Sequence, residues 1–426
     1  MKRSSRFGAL AGLAAVATLG VTTAPAFAHG NRHGHGGGDW NQEPVTVVAT
    51  GLNGPFGLAA DAGRLWVAES VAGQVTEINP RTGAKRVAAS GLLSPAGVDR
   101  VGNRLAIVTG GQEVPDASIT GDATLFQTRR NRNRPPEVIA DFEAYELANN
   151  PDGQLQFDPV TGEPLDSLSN PFAVLAHRGR AFVFVADAGG NTVYKVSERG
   201  RITPFFVPPV VTTGVCAGRP NNDPEHTGCD PVPTGLAYGP HNRLYVSTLS
   251  AEAPGEGKVY VLDARSGDVL RVIDGLNGPT GVAVGGRGEV YVSELLHNAP
   301  EGEGPPPEGF DPSTVGRIVR IDRDGTRTYA AVTMPTGLVV DRKGDLYASA
   351  WSIAHFFGMM DAGQVVKVSR RAFVAESEPM PTTTTVMEPT TTTEAPTTTT
   401  TTVMEPTTTT STTTTSTTTT TTTMLD

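Results

Sequence analysis

A short repeat restricts what this chain can fold into more than any other feature. Pro-x-Gly opens an apolar run at Pro55-Phe-Gly57, Pro95-Ala-Gly97, Pro233-Thr-Gly235, Pro279-Thr-Gly281 and Pro335-Thr-Gly337, and Pro171-Phe-Ala173 is a degenerate sixth copy. A polar turn then leads into Leu65-Trp-Val-Ala, Leu105-Ala-Ile-Val, Val183-Phe-Val-Ala, Leu244-Tyr-Val-Ser, Val290-Tyr-Val-Ser or Leu346-Tyr-Ala-Ser. A third run with period-two alternation follows in five copies, as in Gln74-Val-Thr-Glu-Ile and Lys258-Val-Tyr-Val-Leu. Such alternation marks strands rather than helices. Tight turns such as Asn79-Pro-Arg-Thr-Gly83 and Arg323-Asp-Gly325 lead to a fourth strand. Four short strands in roughly 40 residues make one propeller blade. Charged residues are only 18% of the chain while Gly (49) and Pro (33) are abundant, which disfavours a helical bundle. The fold class expected is therefore all-β: a six-bladed β-propeller over 44–375.

The sixth copy supplies only three strands, ending at Gln364-Val-Val-Lys-Val. The missing outer strand lies at the other end of the body, where Val45-Thr-Val-Val-Ala-Thr-Gly-Leu-Asn-Gly-Pro55 closely matches Val269-Leu-Arg-Val-Ile-Asp-Gly-Leu-Asn-Gly-Pro279. The N-terminal strand is expected to close the last blade and remove an exposed edge. The repeated Asn-Gly-Pro-x-Gly segments (Asn53 to Gly57, Asn277 to Gly281), the Leu-Trp/Tyr-Val strands and the Asp187…Asn191 step resemble NHL-like six-bladed propellers. Over the whole body the chain is similar to the bacterial ScyD/ScyE family. That resemblance implies export and a link to secondary-metabolite or pigment maturation, and it carries over no catalytic residues.

The two ends read differently from the body. Residues 1–28 have the parts of a secretion signal: Lys2, Arg3 and Arg6, an apolar stretch from Gly8 to Val21, and Ala26-Phe-Ala28 as a cleavage site. Residues 29–43 form a His- and Gly-rich arm whose three His (His29, His33, His35) lack fixed geometry. Residues 376–426 hold 29 Thr, have almost nothing to bury, and are expected to be disordered and O-glycosylated. The formal charge is −10, and it stays near −7 when the signal's three bases and the tail's six acids are set aside. An acidic body without a basic stripe argues against nucleic acid as partner. The expectation is a monomer that is secreted or extracytoplasmic, associated with the cell surface, and without a transmembrane segment after signal cleavage.

Strand order sorts the loops of a propeller onto two faces. The long insertions, Gly110 to Asp122, Glu146 to Asn170, Val207 to Val232, Leu295 to Thr314 and Ser352 to Ala362, all fall on one of them. Loops on a rigid scaffold carry function. Cys216 and Cys229, the only cysteines, lie together in one insertion and are expected to pair in an exported protein. The channel rim should hold Glu69, Asp187 and Glu294, with Thr109, Thr248 and Ala350 between them. Three converging carboxylates would suit Ca²⁺, the one cofactor the sequence suggests. Alternatively each carboxylate caps a backbone amide or meets an arginine. His226, His297 and His355 sit on the loop-rich side, and His297 and His355 are the candidate general bases. Trp351, His355, Phe356 and Phe357, with Met359 and Met360, form an apolar stretch where polar loop is expected, either a plug or a lid over a binding site. These features favour binding of a small molecule or a cell-envelope partner on the loop-rich face. A metal-dependent hydrolase or lyase of the lactonase type and a structural surface module stand as alternatives. Whether the protein is an enzyme stays open on the sequence.

Overall fold

The computed structural model describes residues 43–110, 121–128, 135–162, 165, 168–177, 179, 181–300 and 306–376. The signal expected over 1–28, the arm expected over 29–43 save its last residue, and the Thr tract from 377 lie outside these residues. So do parts of the insertions at 110–122, 146–170 and 295–314.

Strand β1 (Val45–Leu52) precedes the first blade. Blade one is β2 (Pro55–Asp61), β3 (Arg64–Glu69), β4 (Gln74–Ile78) and β5 (Lys85–Ser90). Blade two is β6 (Pro95–Val101), β7 (Arg104–Thr109), β8 (Thr124–Gln127) and β9 (Glu137–Asp141). Blade three is β10 (Pro171–Ala176), β11 (Phe182–Asp187), β12 (Thr192–Ser197) and β13 (Ile202–Phe206). Blade four is β14 (Pro233–Gly239), β15 (Arg243–Thr248), β16 (Gly257–Asp263) and β17 (Val269–Leu276). Blade five is β18 (Pro279–Val284), β19 (Val290–Glu294), β20 (Arg317–Ile321) and β21 (Arg327–Ala330). Blade six is β22 (Leu338–Val340), β23 (Leu346–Ala350) and β24 (Gly363–Val368), and β1 completes it as the outermost strand. Val45 pairs with Val368, Val47 with Val366 and Leu52 with Gly363, all antiparallel. The sixfold pattern and its closure are thus both present. β1 and β17 also share their pattern of burial, with Ala49 and Leu52 buried in one and Ile273 and Leu276 in the other.

One hydrogen bond recurs in all six blades. The carbonyl of the residue before the first Pro accepts an amide just past the second strand: Ser70 N to Gly54 O (2.7 Å), Gly110 N to Ser94 O (3.0 Å), Ala188 N to Asn170 O (2.9 Å), Leu249 N to Val232 O (2.8 Å), Leu295 N to Gly278 O (3.2 Å) and, one residue further along, Ser352 N to Met334 O (3.2 Å). The repeat is therefore a backbone device as much as a hydrophobic one.

The core is divided into wedges between neighbouring blades. Trp66, Ala68 and Val75 of blade one meet Val98 and Ile107 of blade two. Val185 and Tyr194 of blade three meet Val108 and Leu125 of blade two. Val259 and Val261 face Val292 and Val319 across blades four and five. The last wedge joins Leu52 of β1 and Val365 of blade six to Leu65, Val67 and Ile78 of blade one. Toward the axis the innermost strands meet backbone to backbone, and this is why Pro-x-Gly needs its glycine. A Cβ on Gly57 would lie 2.7 Å from Ala96 O and 2.9 Å from Gly97 Cα, and one on Gly97 would lie 2.9 Å from Phe172 O. Where x is Thr, its hydroxyl donates to the next blade: Thr234 Oγ1 to Pro279 O (2.9 Å), Thr280 Oγ1 to Pro335 O (3.2 Å) and Thr336 Oγ1 to Pro55 O (3.1 Å).

The polar segment after β24 returns to the neighbouring blade. Val374 makes an antiparallel bridge with Tyr329, the Tyr329 amide donating to Val374 O at 2.8 Å and the Val374 amide to Tyr329 O at 3.0 Å. The Phe373 ring sits 5.5 Å from that of Tyr291, and Glu376 pairs with Arg317 at 2.6 Å. This clasp covers part of the open edge of β21. Truncation after Ser369 is expected to cost about 2–4 kcal/mol, since it removes a packed aromatic and bares ladder groups. Urea unfolding checks this, and an unchanged midpoint would show that the clasp contributes nothing.

Candidate functional site

Because each sheet runs in chain order, successive connections alternate between the two faces. The connections at 110–123, 142–170, 207–232, 295–316 and 351–362 all leave from the same face, as the sequence predicts. Opposite-face connections are turns of a few residues, apart from 128–136. The axial channel is lined by Gly57, Gly97, Thr234, Thr280, Gly337 and their neighbours on the innermost strands, and its cavity measures about 50 Å³. At roughly 10–15 Å³ per water this holds a short file of waters and no organic substrate. Phe56 and Phe172 meet edge to face at 5.7 Å at the loop-rich end of these strands. The long loops are therefore the candidate contact surface for a ligand of organic size.

Glu69, Asp187 and Glu294 do end their second strands and are buried, at 3%, 0% and 1% exposure. Among the described residues no three His, Cys, Asp or Glu side chains gather as a metal group. Each carboxylate is engaged within its own blade. Glu69 accepts the Asn53 amide at 2.8 Å, Gln74 Nε2 at 2.9 Å and the Thr76 hydroxyl. Asp187 accepts the Asn170 amide at 2.7 Å, the Gly190 amide at 3.1 Å and Ser169 Oγ at 2.6 Å. Glu294 accepts the Asn277 amide at 2.8 Å and pairs with Arg317. All three hold the turn that delivers the chain into the innermost strand, the arrangement of the capping alternative. Asp187→Ala should cost about 2–4 kcal/mol by orphaning buried amides. Calcium should leave the melting temperature of the parent protein unmoved. A calcium-dependent rise that Asp187→Ala abolishes would restore a shared cation.

The loops form two lobes. The first spans blades two to four and is polar. Around the start of the insertion expected as loop from Glu146, helix α1 (Phe142–Asn149) is capped by Asp141, whose side chain accepts the Ala144 amide at 2.9 Å. Asp141 ahead of the helix and Asn150, left-handed just after it, are the sequence signals that mark its two ends. Leu155 N donates to Asn222 O at 2.9 Å, Gln154 Nε2 to Asp230 at 2.7 Å and Asn221 Nδ2 to Asp230 at 2.8 Å. The first two bonds tie the helix insertion to the loop of Cys216 and Cys229, and the third braces that loop from within. The two cysteines are disulfide-bonded, as the sequence predicts, with a sequence separation of 13. Closure of a loop that size contributes about 3 kcal/mol. His226 is exposed and its Nδ1 lies 2.9 Å from Asp223 Oδ2.

The second lobe spans blades five and six and is apolar. Leu295, Val315, Met334 and Ile353 form its buried centre, with Phe56, Phe310, Trp351, Phe356 and Phe357 packed around it. The blade-six stretch is therefore both plug and rim. Ile353 and Ala354 are buried; Trp351, His355, Phe356 and Phe357 are half-buried, and Met360 is 56% exposed. The His355 ring lies 4.2 Å from that of Phe356, and its buried Nδ1 has no hydrogen-bond partner among the described residues. Burial holds its pKa below the usual imidazole value. His297 is half-buried on the same side, held low first by burial and then by Arg317. No carboxylate orients either imidazole through a hydrogen bond among the described residues. Ile353→Ala should cost about 2–5 kcal/mol as a core truncation, while Phe356→Ala and Phe357→Ala should each cost much less. Equal losses at all three positions, read by chemical denaturation, would make the whole stretch a plug.

Neither a family profile nor a curated protein matches the sequence. Among solved structures the chain is similar to a calcium-binding protein, regucalcin, from Agrobacterium tumefaciens, at 13% identity over 76% of this chain and 92% of that one, with a TM-score of 0.46. It is similar to a luciferin-regenerating enzyme at 11% identity over 78% and 96% of the two chains, with a TM-score of 0.48. A gluconolactonase from Xanthomonas campestris gives 12% identity over 76% and 89%, with a TM-score of 0.47. These likenesses concern the backbone and assign no residue here.

Among the described residues no helix is long and apolar enough to cross a membrane.

Proposed function

We propose that the protein is a binding module whose loop-rich face takes a small molecule or a cell-envelope partner, in extracytoplasmic secondary-metabolite processing of the kind the ScyD/ScyE resemblance implies. The observation that carries this reading is the apolar lobe. Trp351, Phe356 and Phe357 stay half-buried and Met360 exposed on the one face where five blades place their insertions. Each apolar side chain left partly in water forgoes up to roughly 1.5–3 kcal/mol that burial under a ligand would recover. His355 supplies a polar atom among them, neutral at neutral pH because burial disfavours its charged form. Trp351, His355, Phe356 and Phe357 are the residues assigned to the ligand. The alternative is a metal-dependent hydrolase or lyase of the lactonase type, with Glu69, Asp187 and Glu294 as the rim carboxylates that would hold its cation. The disulfide is compatible with an oxidising compartment.

The test is a thermal-shift screen of aromatic and phenolic metabolites against the parent protein and its Phe356→Ala and Phe357→Ala variants. A native-state ligand at 100 times its Kd stabilises by about 2.7 kcal/mol. Shifts present in the parent and lost in both variants support the site. Shifts that survive both substitutions place binding elsewhere. Chelator-sensitive lactone turnover by the purified protein would favour the enzyme alternative.

A further inference from the structure

Helix α1 is moored to blade three by a side chain whose chemistry the binding reading does not use. Glu146 is only 2% exposed. Its Oε2 accepts the hydroxyl of Tyr194 at 3.0 Å, and Tyr194 is itself fully buried against the rings of Phe142 and Tyr145, at 5.5 and 5.6 Å. Beneath it lies Gly190, where a Cβ would stand 2.9 Å from Glu146 Oε2, so the carboxyl fills the space a side chain would take. Gln156 Nε2 donates to Glu146 O at 2.8 Å and folds the following loop back over the site.

Among the described residues the charged groups acting on Glu146 are acids. Asp152 approaches from the loop after the helix and Asp187 from the end of β11. Behind Asp152 stands Asp230, from the disulfide-bearing insertion. On the helix itself, Glu143 faces Asp122 and Asp141. Ionising Glu146 would add a buried negative charge beside carboxyl groups already there.

We propose that Glu146 is an acid-closed latch: its neutral carboxyl seats helix α1 and the loop to Gln156 on blade three, and its ionisation lets that insertion lift from the loop-rich face. The inference goes beyond the binding reading and does not depend on it. Burial first, and then Asp152 and Asp187, pushes the seated carboxyl from the ordinary value of 4.5 up to about 8, against the hydrogen bonds from Tyr194 and Gln156, which favour the charged form and are outweighed. Once the insertion lifts, the carboxyl returns to its ordinary range. The seated value lies above the free one, so seating is strongest below about pH 4.5, weakens as the pH rises, and changes no further above about 8. Release would also disturb the disulfide-bearing loop and the end of blade three, because Leu155, Gln154 and Asp152 are bonded to Asn222, Asp230 and Asn191.

Hydrogen–deuterium exchange of the full chain from pH 5 to 9, corrected for intrinsic rates, tests the latch without any ligand. Amides of 142–156 should lose protection by up to tenfold per pH unit and level off near pH 8, while the blade strands keep theirs. Glu146→Gln keeps the neutral shape and should flatten the response. Flat protection in the parent, or a slope that survives Glu146→Gln, overturns the proposal; a surviving slope would assign the titration to Asp152 or Asp187. Should Glu146→Gln fail to fold, Asp152→Asn serves instead. It removes one neighbouring charge and should bring the plateau to lower pH, and an unmoved plateau overturns the latch.

Discussion

Deletion of residues 44–52 should leave the protein unable to hold its native state. The deletion removes the whole of β1, which pairs with β24 from Val45 to Leu52. Leu52 and Ala49 leave the wedge where blade six meets blade one, and the carbonyl of Pro44 no longer receives the Ser369 amide. Loss of one buried Leu costs about 2–5 kcal/mol. The remaining ladder and the bared edge of β24 bring the total to the order of a domain's entire stability, about 5–15 kcal/mol. The ring also opens where the chain's two ends are joined, and an unpaired apolar edge promotes aggregation. Soluble yield, near-UV circular dichroism and melting read the outcome. A truncated protein that melts like the parent would show that β1 does not close the ring.

Gly57→Ala should be among the most damaging conservative substitutions in the chain, and Gly281→Ala at least as severe. Gly57 does not sit in the left-handed region, so conformational freedom is not the reason. The reason is proximity: an added methyl would stand 2.7 Å from Ala96 O, 2.9 Å from Gly97 Cα and 3.3 Å from Val98 N, all backbone atoms of the next blade. At Gly281 the methyl would meet Thr336 O of blade six and lie 2.9 Å from Ser293 Oγ. A side chain can rotate out of a clash, but an innermost strand fixed on both sides by its neighbours cannot. Overpacking typically costs about 1–3 kcal/mol, and a backbone clash belongs at or above the upper end. Gly63→Ala serves as the control, since no atom lies within 4 Å of its added methyl and only its positive φ of 73° opposes the change. Urea midpoints for the three variants settle the order. Gly57→Ala no worse than Gly63→Ala would mean that the innermost strands spread easily.

The blade count, the closing strand, the disulfide and the gathering of insertions on one face are legible in the residues alone. Each is written in short-range pattern: alternation along a strand, the spacing of Pro-x-Gly, two cysteines in one loop. Closure needs only the match between the segment at Val45 and that at Val269, because equivalent strands meet equivalent surroundings and share their burial. The rim acids show where such reasoning stops. Strand position correctly puts Glu69, Asp187 and Glu294 at the loop-rich ends of their second strands. It does not say whether they face the axis or their own blade. That choice is made by the amides of Asn53, Asn170 and Asn277, delivered within bonding distance by turns between blades. Glu146 is a similar case. Its neighbour Tyr194 is 48 residues away, and its burial exists only once helix α1 has docked on blade three. The return of Val374 to the edge of blade five likewise depends on where Tyr329 lies in the closed ring. Local sequence determined the elements and their order, because periodicity and turn chemistry act between near neighbours. Tertiary structure alone decided which polar groups satisfy one another, because hydrogen bonds and desolvation depend on distances that are set only when the ring has closed.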